Sequence, residues 1–137
     1  MQLFRKQFTE IQILLGDLKQ EAESKSTVII VEGKKDIQTL RQFGIQGKIL
    51  DFRGRSLPDL CDLVSEFKKI IILTDFDRTG QNLAKRFHQD LTSRGLNADL
   101  AYYHKFRFYF KKVSKDIESL YTIYSQIQEN HGKNDEI

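Results

Sequence analysis

Cysteine is nearly absent: Cys61 is the single one in 137 residues. An internal disulfide is therefore excluded, as is a Cys-x-x-Cys pair for zinc or redox chemistry. The apolar spacing around Cys61 predicts a small buried filler. Long hydrophobic runs are also missing. No stretch reaches the ~18–20 apolar residues that cross a membrane, and Met1-Gln2-Leu3-Phe4-Arg5 lacks the pattern of a secretory signal. A soluble, cytoplasmic protein with no membrane partner is expected. His88, His104 and His131 lack the spacing of a shared metal site. Charge of one sign is barely in excess, 22 Lys and Arg against 19 Asp and Glu, which permits an anionic partner without demanding one.

The chain does have a regular alternation of apolar runs and helical spacings, on a scale that suits one domain. Residues 3–24 read as an amphipathic helix, with Leu3, Phe4, Phe8, Ile11, Leu14, Leu15 and Leu18 at three- and four-residue intervals. Val28 to Val31 is β-branched throughout, as in a strand buried on both faces. A helix follows through Phe43, with Gly44 placed as its C-terminal cap. Lys48 to Phe52 is a second strand, and Ser56-Leu57-Pro58 opens a helix whose inner face is Leu60, Leu63, Val64 and Phe67. Ile70 to Leu73 is a third strand, followed by a helix from Thr79 or Gly80 to Leu91. Ala98 to Tyr102 is read as a fourth strand, then a basic aromatic segment (103–112), a helix from about Lys115 to Gln128, and a polar, frayed tail. The expected organisation is a lead-in helix (1–25), a core (26–102) and an exit segment (103–137) of the same domain. Alternation of this kind predicts an α/β fold with a mainly parallel four-stranded sheet and helices on both faces.

Two of the strands end on acids. Val28-Ile29-Ile30-Val31 stops at Glu32-Gly33-Lys34-Lys35-Asp36, and Ile70-Ile71-Ile72-Leu73 at Thr74-Asp75-Phe76-Asp77-Arg78-Thr79-Gly80. Forty-three positions separate Glu32 from Asp75, about two strand-plus-helix units. If the second strand lies on one side of the first and the third returns to the other, these two ends adjoin at the point where ligands bind in open α/β sheets. Carboxylates gathered there would repel one another unless a cation joined them, and Mg²⁺ held by one or two carboxylates fits that need. Gly80 would let the backbone turn closely into a helix whose first amides favour an anion. Lys34, Lys35 and Arg78 flank the same crevice, and Arg53 and Arg55 follow the second strand on the same edge, as phosphate contacts would.

These two motifs together resemble the Toprim domain, the catalytic module shared by topoisomerases, bacterial-type primases, overcoming-lysogenization-type nucleases and ribosomal-RNA maturases. The whole chain is most similar to small stand-alone archaeal Toprim proteins, to which Lys115-Asp116-Ile117-Glu118-Ser119-Leu120 also corresponds. The resemblance implies a Rossmann-like fold. It makes Glu32 a general acid or base that can also ligate metal, Asp75 and Asp77 the metal-binding aspartates, and Gly33 and Gly80 turn glycines. The tyrosine-bearing domain of topoisomerases and the zinc-bearing parts of primases have no place in these residues. What the resemblance leaves is Mg²⁺-dependent hydrolysis of RNA or DNA phosphodiesters, of nuclease or RNA-processing type, within a larger ribonucleoprotein or repair assembly.

Two alternatives carry their own residues. Asp75-Phe76-Asp77-Arg78-Thr79 after an apolar strand also fits a phosphatase of the haloacid dehalogenase type, with Asp75 as nucleophile. A non-catalytic RNA- or DNA-binding module would use Phe106-Arg107-Phe108-Tyr109-Phe110-Lys111-Lys112, where cations alternate with base-stacking rings. In the plainer reading of that segment, Phe106, Phe108 and Phe110 bury against the sheet.

Overall fold

The computed structural model describes residues 7–112 and 116–135. Helix α1 (Phe8–Ala22) buries Phe8, Ile11, Leu14, Leu18 and Ala22, the three- and four-residue stripe expected of a helix lying on a core. The expected contributions of Leu3 and Phe4 fall outside the described residues. Strand β1 (Thr27–Val31) is buried at all five positions, which requires cover on both faces of the sheet. Helix α2 (Lys34–Gln42) closes at Gly44, whose φ of +85° suits the left-handed position expected there. Strand β2 (Lys48–Asp51) leads to α3 (Leu57–Val64), where Ser56 caps through its hydroxyl and Pro58 sits in the first turn. Strand β3 (Lys69–Leu73), α4 (Arg78–Ser93), β4 (Ala98–Asp99), α5 (Ala101–Phe110) and α6 (Leu120–Asp135) complete the order.

The strands form one four-stranded parallel sheet in the order β2-β1-β3-β4. The chain therefore reverses its direction of travel between β1 and β3, which meets the condition under which the two acidic motifs adjoin. Register fixes the consequence: Val31 pairs with Leu73 on one side and with Asp51 on the other, so the residues that follow these three strands leave the sheet together. The pairing carries past β2, since the amides of Phe52 and Arg53 donate to the carbonyls of Val31 and Glu32, both at 3.0 Å. Arg53 is thereby held beside Glu32.

Five expectations are corrected. The fourth strand is only Ala98–Asp99, and the basic aromatic segment is helix α5 rather than an extended stretch with alternate rings buried. Tyr103, Phe106 and Phe110 are buried and Phe108 is 63% exposed; the ring spacing of three and four satisfies a helix, and the two-residue alternation had hidden it. In α3 the buried residues are Leu60, Cys61 and Val64, while Leu63 lies outward at 42% exposure, because the three buried residues fall within about 100° around the helix and Leu63 lies about 110° from the middle of that stripe. Cys61 is the buried filler expected. Finally, Ile117 is buried in a turn before α6, and the polar stretch from Glu129 to Asp135 continues that helix instead of fraying. Lys115 and Glu136 lie outside the described residues.

Candidate active site at the carboxyl edge of β1 and β3

Glu32 leaves β1 and is half-buried. Its Oε1 lies 3.4 Å from the Arg53 guanidinium. The same guanidinium rests against Gly33, where a Cβ would sit 3.2 Å from Nη1. The next acid, Asp36, is 7% exposed and turns back so that Oδ2 accepts from the Gly33 N–H at 2.9 Å. This is half of a capping box, and it starts α2. Burial pushes the Asp36 carboxyl above its usual range, and the Glu32 and Glu118 charges add to this against the Gly33 N–H.

Asp75 leaves β3, and its carboxyl stands within hydrogen-bonding reach of Glu32. It is pushed up from 3.8 to about 7, first by burial and then by the Glu32 carboxyl, with the negative charge of Asp36 adding. Opposing them is one donor: the Ile117 N–H reaches Asp75 Oδ1 at 3.1 Å. That amide comes from a turn in which Asp116 Oδ1 accepts from the Ser119 N–H at 2.9 Å, and which Thr39 anchors by donating to the Glu118 carbonyl at 3.2 Å. The exit segment is thus strapped across the edge of the sheet and contributes directly to the site.

The backbone between Asp75 and Gly80 is held tightly. Tyr103 donates from its hydroxyl to the Asp75 carbonyl at 2.9 Å, Thr74 donates to the Gly80 carbonyl at 2.7 Å, and Gln81 Nε2 donates to the Phe76 carbonyl at 3.2 Å. A Cβ at Gly80 would fall 1.9 Å from the Asp75 carbonyl oxygen, so only glycine permits this approach. Asp77 caps α4, its Oδ1 accepting from the Gly80 N–H at 2.7 Å.

The structure therefore brings together Glu32, Asp75, Gly33 and Arg53, and seats Gly80 under Asp75. Asp77 is exposed on the same loop, engaged as a helix cap. Lys34, Lys35, Arg55 and Arg78 are exposed around the edge. Lys35 lies 3.8 Å from Glu118, and Arg55 donates to the Asp51 carbonyl at 2.8 Å. Among the described residues no three acid, imidazole or thiol side chains stand close enough to cage a metal ion. Sequence reasoning missed Asp36, Ile117 and Tyr103. Asp36 had a signal, an acid three positions after a glycine that starts a helix. A backbone amide and a carbonyl-binding tyrosine leave none.

Residues 27–113, from β1 through α5, match the Toprim domain, and the chain belongs to the Toprim domain family. Its relatives include small archaeal proteins. A UPF0292 protein of Methanosarcina barkeri is 34% identical over 133 residues, covering 96% of this chain and 92% of its own length. A UPF0292 protein of Pyrococcus furiosus is 42% identical over 101 residues, covering 74% of this chain and 76% of its own. A solved structure of a protein from Aquifex aeolicus superposes with a TM-score of 0.66 at 28% identity, over 79% of this chain and 95% of that one. Among the described residues no helix is long and apolar enough to cross a membrane.

Proposed function

We propose that this protein hydrolyses phosphodiester bonds of RNA or DNA with Mg²⁺ at the carboxyl edge of β1 and β3. The observation that carries this reading is the meeting of Glu32 and Asp75, with the Asp75 carboxyl raised to about 7. A buried carboxyl that resists ionisation up to about pH 7 beside a second carboxyl marks a place where negative charge is opposed, and a cation would relieve that opposition. The donor set fits the metal: it is all hard oxygen, and a Mg²⁺ ion needs only one or two protein carboxylates because it keeps several waters. Asp75 and Glu32, which meet at the edge, would hold it directly, and Asp77 would reach it through one of those waters, from the carboxylate oxygen that does not cap α4. When bound, Mg²⁺ polarises the scissile phosphate and steadies the leaving oxygen.

The chain's own groups would do the rest. Glu32 moves the proton, with the Arg53 guanidinium beside its Oε1. Arg53, Lys34, Lys35, Arg55 and Arg78 hold phosphate oxygens along the edge, and Gly33 and Gly80 allow the backbone to approach. The Ile117 N–H and the Tyr103 hydroxyl keep Asp75 in place.

Incubation with single-stranded, duplex and structured RNA and DNA, in Mg²⁺ or in EDTA, tests this. Cleavage is expected in Mg²⁺ alone and is lost in Asp75→Asn, Asp77→Asn and Glu32→Gln. Cleavage that persists in EDTA or in these variants refutes the assignment. Salt-sensitive binding without cleavage of any substrate would instead make the protein a binding module.

A further inference from the structure

A cavity of about 230 Å³ lies between α4 and α5, lined chiefly by Gln81, Lys85, Leu100, Tyr103, His104 and Arg107. It holds many times the ~30 Å³ share of one water, yet falls short of the ~300–1,000 Å³ of sites for drug-sized ligands. Its chemistry has one sign. Gln81 and Lys85 are one turn apart on α4, Tyr103 and Arg107 one turn apart on α5, and no acid is in the lining. Among the described residues neither Lys85, His104 nor Arg107 is in a salt bridge, and Nε of Arg107 is buried without a hydrogen-bond partner. A buried charged donor left unmatched is costly unless something accepts from it. The walls are tied to the candidate site: Tyr103 holds the Asp75 carbonyl and Gln81 the Phe76 carbonyl.

We propose that this cavity is a phosphate subsite for a nucleic-acid strand, in which Arg107 and Lys85 receive a phosphodiester neighbouring the one presented to Asp75. His104, exposed at the rim, is a further donor to the same strand. The proposal rests on the reading of the edge as directed to nucleic acid, and needs neither metal nor turnover.

The test is therefore made in EDTA, with a fluorescently labelled single-stranded oligonucleotide followed by anisotropy over a salt series. Lys85→Gln and Arg107→Gln are each expected to weaken binding about tenfold at low salt and to lower the salt slope by about one. Lys25→Gln, which removes an exposed cation at the opposite, amino-terminal edge of the sheet, should leave affinity and slope unchanged. Equal affinity and slope in both cavity variants, with circular dichroism unchanged, overturns the proposal, as does a wild type that does not bind the strand. Lys85 is exposed, so Lys85→Gln decides the matter alone if Arg107→Gln fails to fold. Binding of adenosine monophosphate that depends on Arg107, without any effect on the strand, overturns the assignment to a strand. Failure of Mg²⁺-dependent cleavage alone refutes catalysis and leaves this measurement standing.

Discussion

Replacing Asp75 with Asn should make the metal-free protein more stable at alkaline pH. In the unfolded chain this carboxyl ionises near 3.8, and in the folded protein near 7. Below pH ~4 it is protonated in both states, and the stability it permits is fully present. As the pH rises through about 7 the folded protein must carry a charge that burial and Glu32 oppose, and that stability is lost. A rise from 3.8 to about 7 corresponds to roughly 4 kcal/mol between the two ionisation states. Solvent at the half-buried carboxyl, and the dependence of its ionisation on the neighbouring Glu32 carboxyl, reduce this to about 2 kcal/mol. Asn is uncharged, its carbonyl oxygen can still accept from the Ile117 N–H, and its amide can donate to Glu32. Thermal unfolding in EDTA should therefore show Asp75→Asn melting roughly 5–8 °C above wild type at pH 8 and within a degree or two of it at pH 4. Added Mg²⁺ should raise the melting temperature of the wild type at pH 8 and leave the variant unmoved. A variant less stable than wild type at pH 8, or an equal difference at both pH values, would refute the account of Asp75 as a destabilised carboxylate.

Gly80→Ala places a methyl group 1.9 Å from the Asp75 carbonyl oxygen, and should cost about 1–3 kcal/mol by urea unfolding; an unchanged midpoint would contradict that packing. Asp77 has two roles that substitutions can separate: Asp77→Ala should lose about 1 kcal/mol of stability with the α4 cap, while Asp77→Asn keeps the cap to within a few tenths. Both should lack Mg²⁺-dependent cleavage, and activity in Asp77→Asn would remove this residue from the site. Glu21 receives hydrogen bonds from Lys69 on β3 and from the Tyr102 hydroxyl on α5. Burial pushes its carboxyl up, but those hydrogen bonds and the Lys69 charge outweigh burial and leave it below its usual value. Its contribution is present above about pH 4.5 and is lost as the pH falls through the lower folded value. Glu21→Gln should cost roughly 1 kcal/mol at pH 7, after allowance for partial exposure, and nothing in strong acid; a pH-independent difference would show that the charge contributes nothing.

The parts of this protein that were legible in its sequence are those set by local periodicity. Val28 to Val31 and Ile70 to Leu73 could only be strands covered on both faces, since four adjacent apolar β-branched or aliphatic residues leave no side for water. The spacing of the Glu32 and Asp75 motifs made β1 and β3 neighbours on the condition that β2 takes the other side of β1, and the strand order meets that condition. Local pattern failed at α5. Phe106, Phe108 and Phe110 recur at two residues, and Tyr103, Phe106 and Phe110 at three and four; contact with the core chose the second set.

The sequence by itself determined which acids would end the two central strands, and that Gly80 would let the backbone turn closely after the second. Only the tertiary structure decided which groups surround them. Ile117 lies 42 positions from Asp75 along the chain and donates to it, Arg53 reaches Glu32 across 21 positions, and Tyr103 reaches the Asp75 carbonyl across 28. The physical reason is that hydrogen bonding and ionisation depend on distances of a few ångströms, whereas periodicity records only which side of an element faces the core. That Asp75, rather than Asp77, meets Glu32 and is held near 7 is therefore a property of the fold.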